Sequence, residues 1–319
     1  MRVLYMIMCH KNLEQVLCLA KHLTTSQSDV VVHIDASVND NDVHTFIGLC
    51  KSFSNIYITN DRIKGSIDDR SLVDIVFIMI QFVKDKGLKY DYYALLSGQD
   101  YPIKPINYIN SVLEMNYPKP FIDCTPYDKN NWIQHKFCSK QMRYLNRIDR
   151  NINVRFNNSL LRYSLKLPVK ALKVVCPLFK MSLYDKLKRA NILPYGGSAW
   201  WILPDIAVDY IFEKYIEQST EVKLLLLSRT PEETFFQTIL MSSPVNDLVE
   251  INPTYQKEQN CKTYAYFTDI DKPFCGHPYI LTIKEYDKLK FSDCFFARKF
   301  DIKKDKEVIR LIEERLLSQ

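Results

Sequence analysis

Met1-Arg2-Val3-Leu4-Tyr5-Met6-Ile7-Met8 reads as a strand that begins at the first residue, and the helix and strand after it decide the fold. Asn12 to Leu23 places Leu13, Val16, Leu17, Ala20 and Leu23 at helical spacing on one face. Asp29 to Ile34 is a second strand, ending in His33-Ile34-Asp35. Strand, helix and strand with short connections make a βαβ unit, which predicts a parallel sheet. Ligands of such sheets lie beyond the C-terminal ends of the strands. Asp35 lies at such an end, where it either caps a turn before Ser37 or contacts a nucleotide's ribose or base.

Outward from this unit, Asn55 to Thr59 reads as a third strand and Asp69 to Lys84 as a strongly apolar helix. Tyr92 to Leu96 is a fourth strand, and it runs into Ser97-Gly98-Gln99-Asp100-Tyr101-Pro102-Ile103-Lys104-Pro105. Gly98 permits close backbone approach there, and Asp100 is a carboxylate at the C-terminal edge of the sheet. Further on, Gly196-Gly197-Ser198-Ala199 leads into a strand over Trp200 to Pro204. Alternation along that strand sends one of Trp200 and Trp201 towards a sugar face and the other into the core. Asp205 to Tyr215 reads as a helix, Leu248 to Asn252 as a short strand, and Lys303 to Leu317 as a closing helix.

Arg229-Thr230-Pro231-Glu232-Glu233-Thr234-Phe235-Phe236 reads as a helix start. Thr230 fits the N-cap, Pro231 the first helical position, and Glu233 the capping-box position three residues on. Taken alone, the stretch is a well-capped helix; with other parts of an active site around it, one glutamate becomes a general base.

The chain has 319 residues, 47% hydrophobic and 25% charged, as expected of a globular protein with a real core. Seven glycines and no GxGxxG or Walker pattern argue against a glycine-rich phosphate loop. Nine cysteines stand singly with no CxxC, and no signal peptide precedes them, which favours reduced thiols in the cytoplasm. No apolar run reaches the roughly 18 residues needed to span a bilayer. The six histidines show no metal-ligand spacing. Asp40-Asn41-Asp42 and Asp269-Ile270-Asp271 follow no convincing buried strand and read as turns. Net charge is +6, yet the segment from Lys136 to Arg189 alone carries +12, because only Asp149 and Asp185 oppose its lysines and arginines. Such a field attracts an anionic partner. Apolar residues interleave with the charges, as in Leu160 to Val175, which resembles a membrane-surface segment; a solvated helical face has the same composition.

His33-Ile34-Asp35, Ser97 to Lys104, Gly196 to Trp201, Thr230 to Glu233 and Phe296-Ala297-Arg298-Lys299-Phe300-Asp301 occur in the order found in one family. Together they resemble the core-2/I-branching β-1,6-N-acetylglucosaminyltransferase family, which also holds peptide O-xylosyltransferases. The resemblance runs from about residue 2 to residue 301. It implies an α/β fold of the GT-A type, with a mostly parallel, Rossmann-like central sheet flanked by helices. It also implies an inverting reaction that needs no metal and no cofactor beyond a UDP-sugar co-substrate. By the same resemblance Glu233 is the catalytic base and Lys299 holds the donor pyrophosphate. The family's other phosphate-binding arginine has no counterpart; His277 is the nearest position, and Arg298 can compensate. Animal members carry an N-terminal anchor that is not seen here, so a bacterial-type member is expected.

This yields a single GT-A-like domain over residues 1–319: a nucleotide-binding half, 1–135, a basic insertion, 136–190, and an acceptor and catalytic half, 191–319. Asp35, Asp100, His277, Arg298 and Lys299 are the candidate donor-binding residues; Ser198, Trp200 and Trp201 are those for the acceptor. The expected reaction moves GlcNAc, with xylose second, from a UDP-sugar to a hydroxyl of a glycan or lipid-linked acceptor. The basic segment would bring the enzyme to the anionic inner face of a membrane. A non-catalytic carbohydrate- or nucleotide-sugar-binding protein that kept the fold is the alternative. A nucleic-acid binder is disfavoured, since the basic residues interleave with aliphatics more than aromatics.

Overall fold

The computed structural model describes residues 1–67, 69–128, 136–137, 148, 152, 159–179, 182–252, 260–265 and 278–318. Its first elements come in the expected order with one helix, α2, added: β1 (Val3–Cys9), α1 (Leu13–Leu23), β2 (Ser28–Ile34), α2 (Asp40–Cys50), β3 (Ile56–Ile58), α3 (Ser71–Asp85) and β4 (Tyr92–Ser97). Next come β5 (Asp100–Pro102), α4 (Ile106–Met115), β6 (Phe121–Ile122), β7 (Thr125–Pro126), α5 (Ser159–Phe179) and α6 (Leu183–Arg189). The chain continues with β8 (Tyr195–Gly196), β9 (Trp201–Pro204), α7 (Asp205–Glu217), α8 (Thr220–Leu225) and α9 (Phe235–Leu240). It ends with β10 (Thr263–Ala265), α10 (Tyr286–Lys290), β11 (Phe296–Arg298) and α11 (Glu307–Ile312), the last running on in a π turn, Glu313–Leu317.

The main sheet has the order β3-β2-β1-β4-β9-β6. The pairs β3–β2, β2–β1 and β1–β4 are parallel, while β9 runs antiparallel to both neighbours. The fold is therefore the expected α/β class with a mostly parallel sheet. The period of two along β1 explains why helices cover both faces. Val3, Tyr5 and Ile7 enter one apolar cluster, with residues of α1, α2, α4 and α11. Leu4 and Met6 enter a second, with residues of α3, α7 and α9. Each fully buried side chain of this kind is worth about 1.5–3 kcal/mol relative to exposure.

A smaller sheet, β10-β11-β5, lies at the end of β4. Its pairing sets Arg298 of β11 opposite Asp100 of β5. The S-G-Q-D-Y-P stretch is thus not a plain loop but turns straight into a short strand. Gly98 is required by packing, because a Cβ there would lie 2.9 Å from Cys9 Cβ and 2.7 Å from Val16 Cγ2.

Three local expectations are corrected. Asp40-Asn41-Asp42 is the first turn of α2 and not a free turn; Asn39 Oδ1 caps it by accepting from Asn41 N at 2.8 Å. Leu248 to Asn252 forms no strand, only a bridge between Ile251 and Cys124. Thr230 does not cap a helix: it adopts a left-handed conformation (φ 52°), and Pro231–Glu233 is a single 3-10 turn that precedes α9. His277, Asp269-Ile270-Asp271 and most of the tyrosine-rich 255–267 lie outside the described residues.

Candidate active site

The Glu232-Glu233 turn and the start of α9 are laced to the Tyr195–Trp200 stretch by one backbone bond and by side chains of α9. Gly197 N donates to Glu233 O at 2.9 Å, and Gln237 Nε2 donates to Ser198 O at 2.7 Å. Thr238 Oγ1 accepts from Tyr195 N at 2.9 Å. Gly197 admits no side chain, since its Cβ would lie 1.9 Å from Asp123 O. The two turns therefore hold one another in a fixed relation.

Burial separates the two adjacent glutamates. Glu232 is 5% exposed, and its Oε2 has no partner. Burial first, and the neighbouring Glu233 charge second, push its carboxyl up to about 8, so it is neutral at pH 7. Glu233 is only half-buried, and its Oε2 receives the Lys136 ammonium. Lys136 also donates to Thr230 Oγ1 at 2.6 Å, and Thr230 Oγ1 reaches Glu233 Oε2 at 3.2 Å. Of the pair, Glu233 is the carboxylate that is partly open and paired with a cation.

Beyond the Gly197–Trp200 turn stands Arg298, 7% exposed. Its guanidinium carbon lies 4.0 Å from the centre of the Trp200 ring, a cation–π contact. Its Nε is 3.4 Å from Asp100 Oδ1, an ion pair without hydrogen-bond alignment, and Nη1 has no partner. Burial lowers its pKa, opposed by Asp100, Cys261 and Glu233, so the charge of Glu233 reaches Arg298. Lys299 is half-buried beside it; burial, then Arg298, then Lys11 press its pKa down. Among the described residues, Glu233 and Arg298 thus flank one turn, while Lys299 lies on the Lys11 side of Arg298.

The remaining candidates are placed as follows. Trp200 faces Arg298, whereas Trp201 is 1% exposed and packs on Phe236 with ring centres 5.3 Å apart. Trp201 is a core residue, and its assignment to the acceptor is corrected, as alternation along β9 demands. Asp100 is wholly buried; it accepts from Ser97 N at 2.7 Å and Ser97 Oγ at 3.0 Å. It orients Arg298 and has no open face for a donor. Burial raises its pKa, countered by Arg298 and Ser97. Asp35 forms the turn that the sequence offered as one option: Oδ1 accepts from Ser37 N at 2.8 Å, and Oδ2 accepts from Gly65 N at 2.7 Å. Burial raises its pKa, but these hydrogen bonds outweigh it and the net shift is downward. Ser198 is half-buried at the turn, with its Oγ accepting from Trp200 N at 3.3 Å.

Several residues escaped the sequence reading. Asp123, 4% exposed, comes directly after β6 and lies against Gly197; its Oδ1 accepts from Cys261 N at 3.4 Å and its Oδ2 has no partner. Burial pushes its carboxyl up to about 6 against that hydrogen bond. His10, at the end of β1, has its pKa lowered by burial, Lys11 and Lys299 and raised by Asp35. Gln15 is fully buried and ties three segments together, donating to Gly98 O at 2.9 Å and Phe300 O at 3.1 Å and accepting from Ile302 N at 3.0 Å. Asp301 holds Lys11 at 3.3 Å and Asn12 at 3.0 Å. Only the position of His10 at a strand's C-terminal end was a usable signal. No group of three or more possible metal ligands occurs among the described residues.

The family described as Core-2/I-Branching enzyme matches residues 3–264. Xylosyltransferase 2 of Canis lupus familiaris is 23% identical over 99% of this chain and 34% of its own length. Xylosyltransferase oxt of Drosophila melanogaster is 22% identical over 95% of this chain and 32% of its own. The chain therefore spans about a third of the length of these relatives. Among solved structures, the WbbM bifunctional glycosyltransferase aligns with 93% of this chain and 45% of its own, at 10% identity and a TM-score of 0.38.

Proposed function

Because the chain belongs to the Core-2/I-branching enzyme family, we propose that it is an inverting glycosyltransferase that moves a sugar from a UDP-sugar to a glycan hydroxyl. The observation that carries this reading is the meeting of Glu233 and Arg298 around the Gly197–Trp200 turn, with Lys299 next to Arg298 in the chain. The acceptor hydroxyl approaches Glu233, which takes its proton as the oxygen attacks the anomeric carbon. The bond to the pyrophosphate breaks on the opposite side, and Lys299 and Arg298 offset the charge that develops there. The indole of Trp200, already against the guanidinium, offers an apolar face to a sugar ring. GlcNAc is the donor sugar we favour; xylose comes second, from the named relatives.

The test is thermal-shift screening against UDP, GDP, UDP-GlcNAc, UDP-xylose and UDP-glucose, with and without EDTA, then transfer assays. Stabilisation by a UDP-sugar that survives the chelator is expected. Failure of every UDP compound to bind would refute the reading. Binding without transfer, unchanged in Glu233→Gln, would favour the non-catalytic alternative.

A further inference from the structure

Helix α5 carries its apolar residues on the wrong side for a helix of a globular protein. Of its residues described for burial, Val169 alone is buried, and Lys166 and Lys173 are half-buried beside it. The rest of the helix surface exposes Leu161, Leu165, Leu167, Leu172, Val174 and Val175, with Val174 72% exposed. A third of the large apolar side chains exposed among the described residues lie on this one helix. It contains no Asp or Glu; of its basic residues, Lys166 and Lys173 lie on the Val169 side. Lys170 is exposed at the rim, with its ammonium over the Tyr163 ring at 5.6 Å. Exposed Lys186, Lys188 and Arg189 of α6 come soon after it in the chain. An exposed apolar face of this extent needs a cover.

We propose that α5 docks on an anionic lipid surface, lying in the interface with its apolar face inserted and the exposed Lys170 at its rim among the headgroups. Charge decides the occupant. A second copy of the chain would bring two acid-free cationic helices together, and like charges oppose that pairing. An anionic bilayer is the partner that satisfies both the apolar face and the basic rim. The helix does not cross the membrane, since no described helix is long and apolar enough to do so.

The position of α5 gives the docking a purpose. In the chain, α5 stands between Phe137 and Leu183, and these two residues meet: Leu183 N donates to Phe137 O at 3.1 Å. Lys136 is the residue whose ammonium holds Glu233. A membrane-bound α5 therefore tethers the candidate base close to the lipid surface, where a lipid-borne acceptor can reach it. The lipid-borne acceptor rests on the transferase reading, and the docking does not.

The experiment is co-sedimentation of the full chain with vesicles of phosphatidylcholine alone or mixed with phosphatidylglycerol. Binding only to the mixed vesicles is expected. The pair Leu172→Glu and Val174→Glu places two acidic charges on an exposed face, so folding and UDP stabilisation should be kept. Its vesicle binding should fall about thirtyfold, from about fivefold per charge near an anionic surface. Equal binding to both vesicle types, or to neither, overturns the docking while leaving the UDP result to judge the transferase reading. Loss of wild-type self-association in the double variant, read by sedimentation equilibrium, would instead identify a second copy as the cover and also overturn it.

Discussion

Glu232 makes a prediction of unusual sign. Its carboxyl is pushed from 4.5 to about 8 by burial and by the charge of Glu233. The folded protein therefore keeps a proton that the unfolded chain releases above about pH 4.5. Stability falls as pH rises from 4.5 to about 8, at roughly 1.4 kcal/mol per pH unit, and is flat above that window. At pH 7 the loss amounts to about 3 kcal/mol, a large part of the stability of a typical domain. Glu232→Gln has nearly the same shape and does not titrate. Relative to wild type it should gain about 3 kcal/mol between pH 4.5 and pH 7.

Urea denaturation of both proteins at pH 5, 6, 7 and 8 measures the difference, and other titrating groups such as Asp123 cancel in it. A stability difference that is constant from pH 5 to pH 8 would show that Glu232 is not held neutral. The consequence would reach the site, because the choice of Glu233 as base depends on its neighbour carrying no charge. Glu232→Gln should also leave sugar transfer largely intact, whereas the same change at 233 should not.

Glu233→Gln should lower kcat on the order of 10²–10⁴-fold while sparing UDP affinity; loss of UDP binding would refute its role. Lys299→Ala should weaken UDP and UDP-sugar binding by calorimetry with little change in thermal stability, and equal binding to wild type would remove Lys299 from the donor site. Asp100→Asn leaves the Arg298 charge buried without its carboxylate, a loss of about 3–5 kcal/mol; a variant as stable as wild type would show the pair to be exposed to water. Burial, Lys11 and Lys299 lower the pKa of His10, with Asp35 opposing. An anion at these cations should raise it, so UDP-sugar binding near pH 6 should take up protons. Calorimetry in buffers of different ionisation enthalpy reads this, and His10→Gln should abolish it.

The parallel half of the sheet was legible because its strands are short apolar runs separated by helices with one apolar stripe. Helix α2 was missed because Asn39-Asp40-Asn41-Asp42 is both turn chemistry and helix-cap chemistry, and only the turns after it distinguish them. Thr230-Pro231-Glu232-Glu233 shows the converse failure: cap, proline and glutamate stand at the right spacing, yet the backbone bond to the Gly197 turn overrides the local preference. At the candidate site, residues 233, 298 and 299 stood out only through the motifs of the family resemblance. The alignment of Arg298 with Asp100 did not, because it depends on pairing two strands that lie far apart in the chain. Asp123 and Gln15 are ordinary polar residues in sequence, and their roles exist only once burial removes water from them.

That long-range pairing explains how the fold tolerates its own cations. Arg298 and Lys299 are adjacent in the chain, and Lys11 adds to the charge that bears on Lys299. Such a cluster would repel itself apart without a frame. Asp100 holds Arg298 from one strand away, and Asp301 holds Lys11. Gln15 fixes both backbone segments that carry these residues. Each carboxylate is committed to a positioning task, and among the described residues none pairs with Lys299. The result is a rigid, partly dry region of net positive potential whose repulsion falls when an anion enters. In the proposed transfer, a pyrophosphate that gains charge as its glycosidic bond breaks would relieve that repulsion most in the transition state.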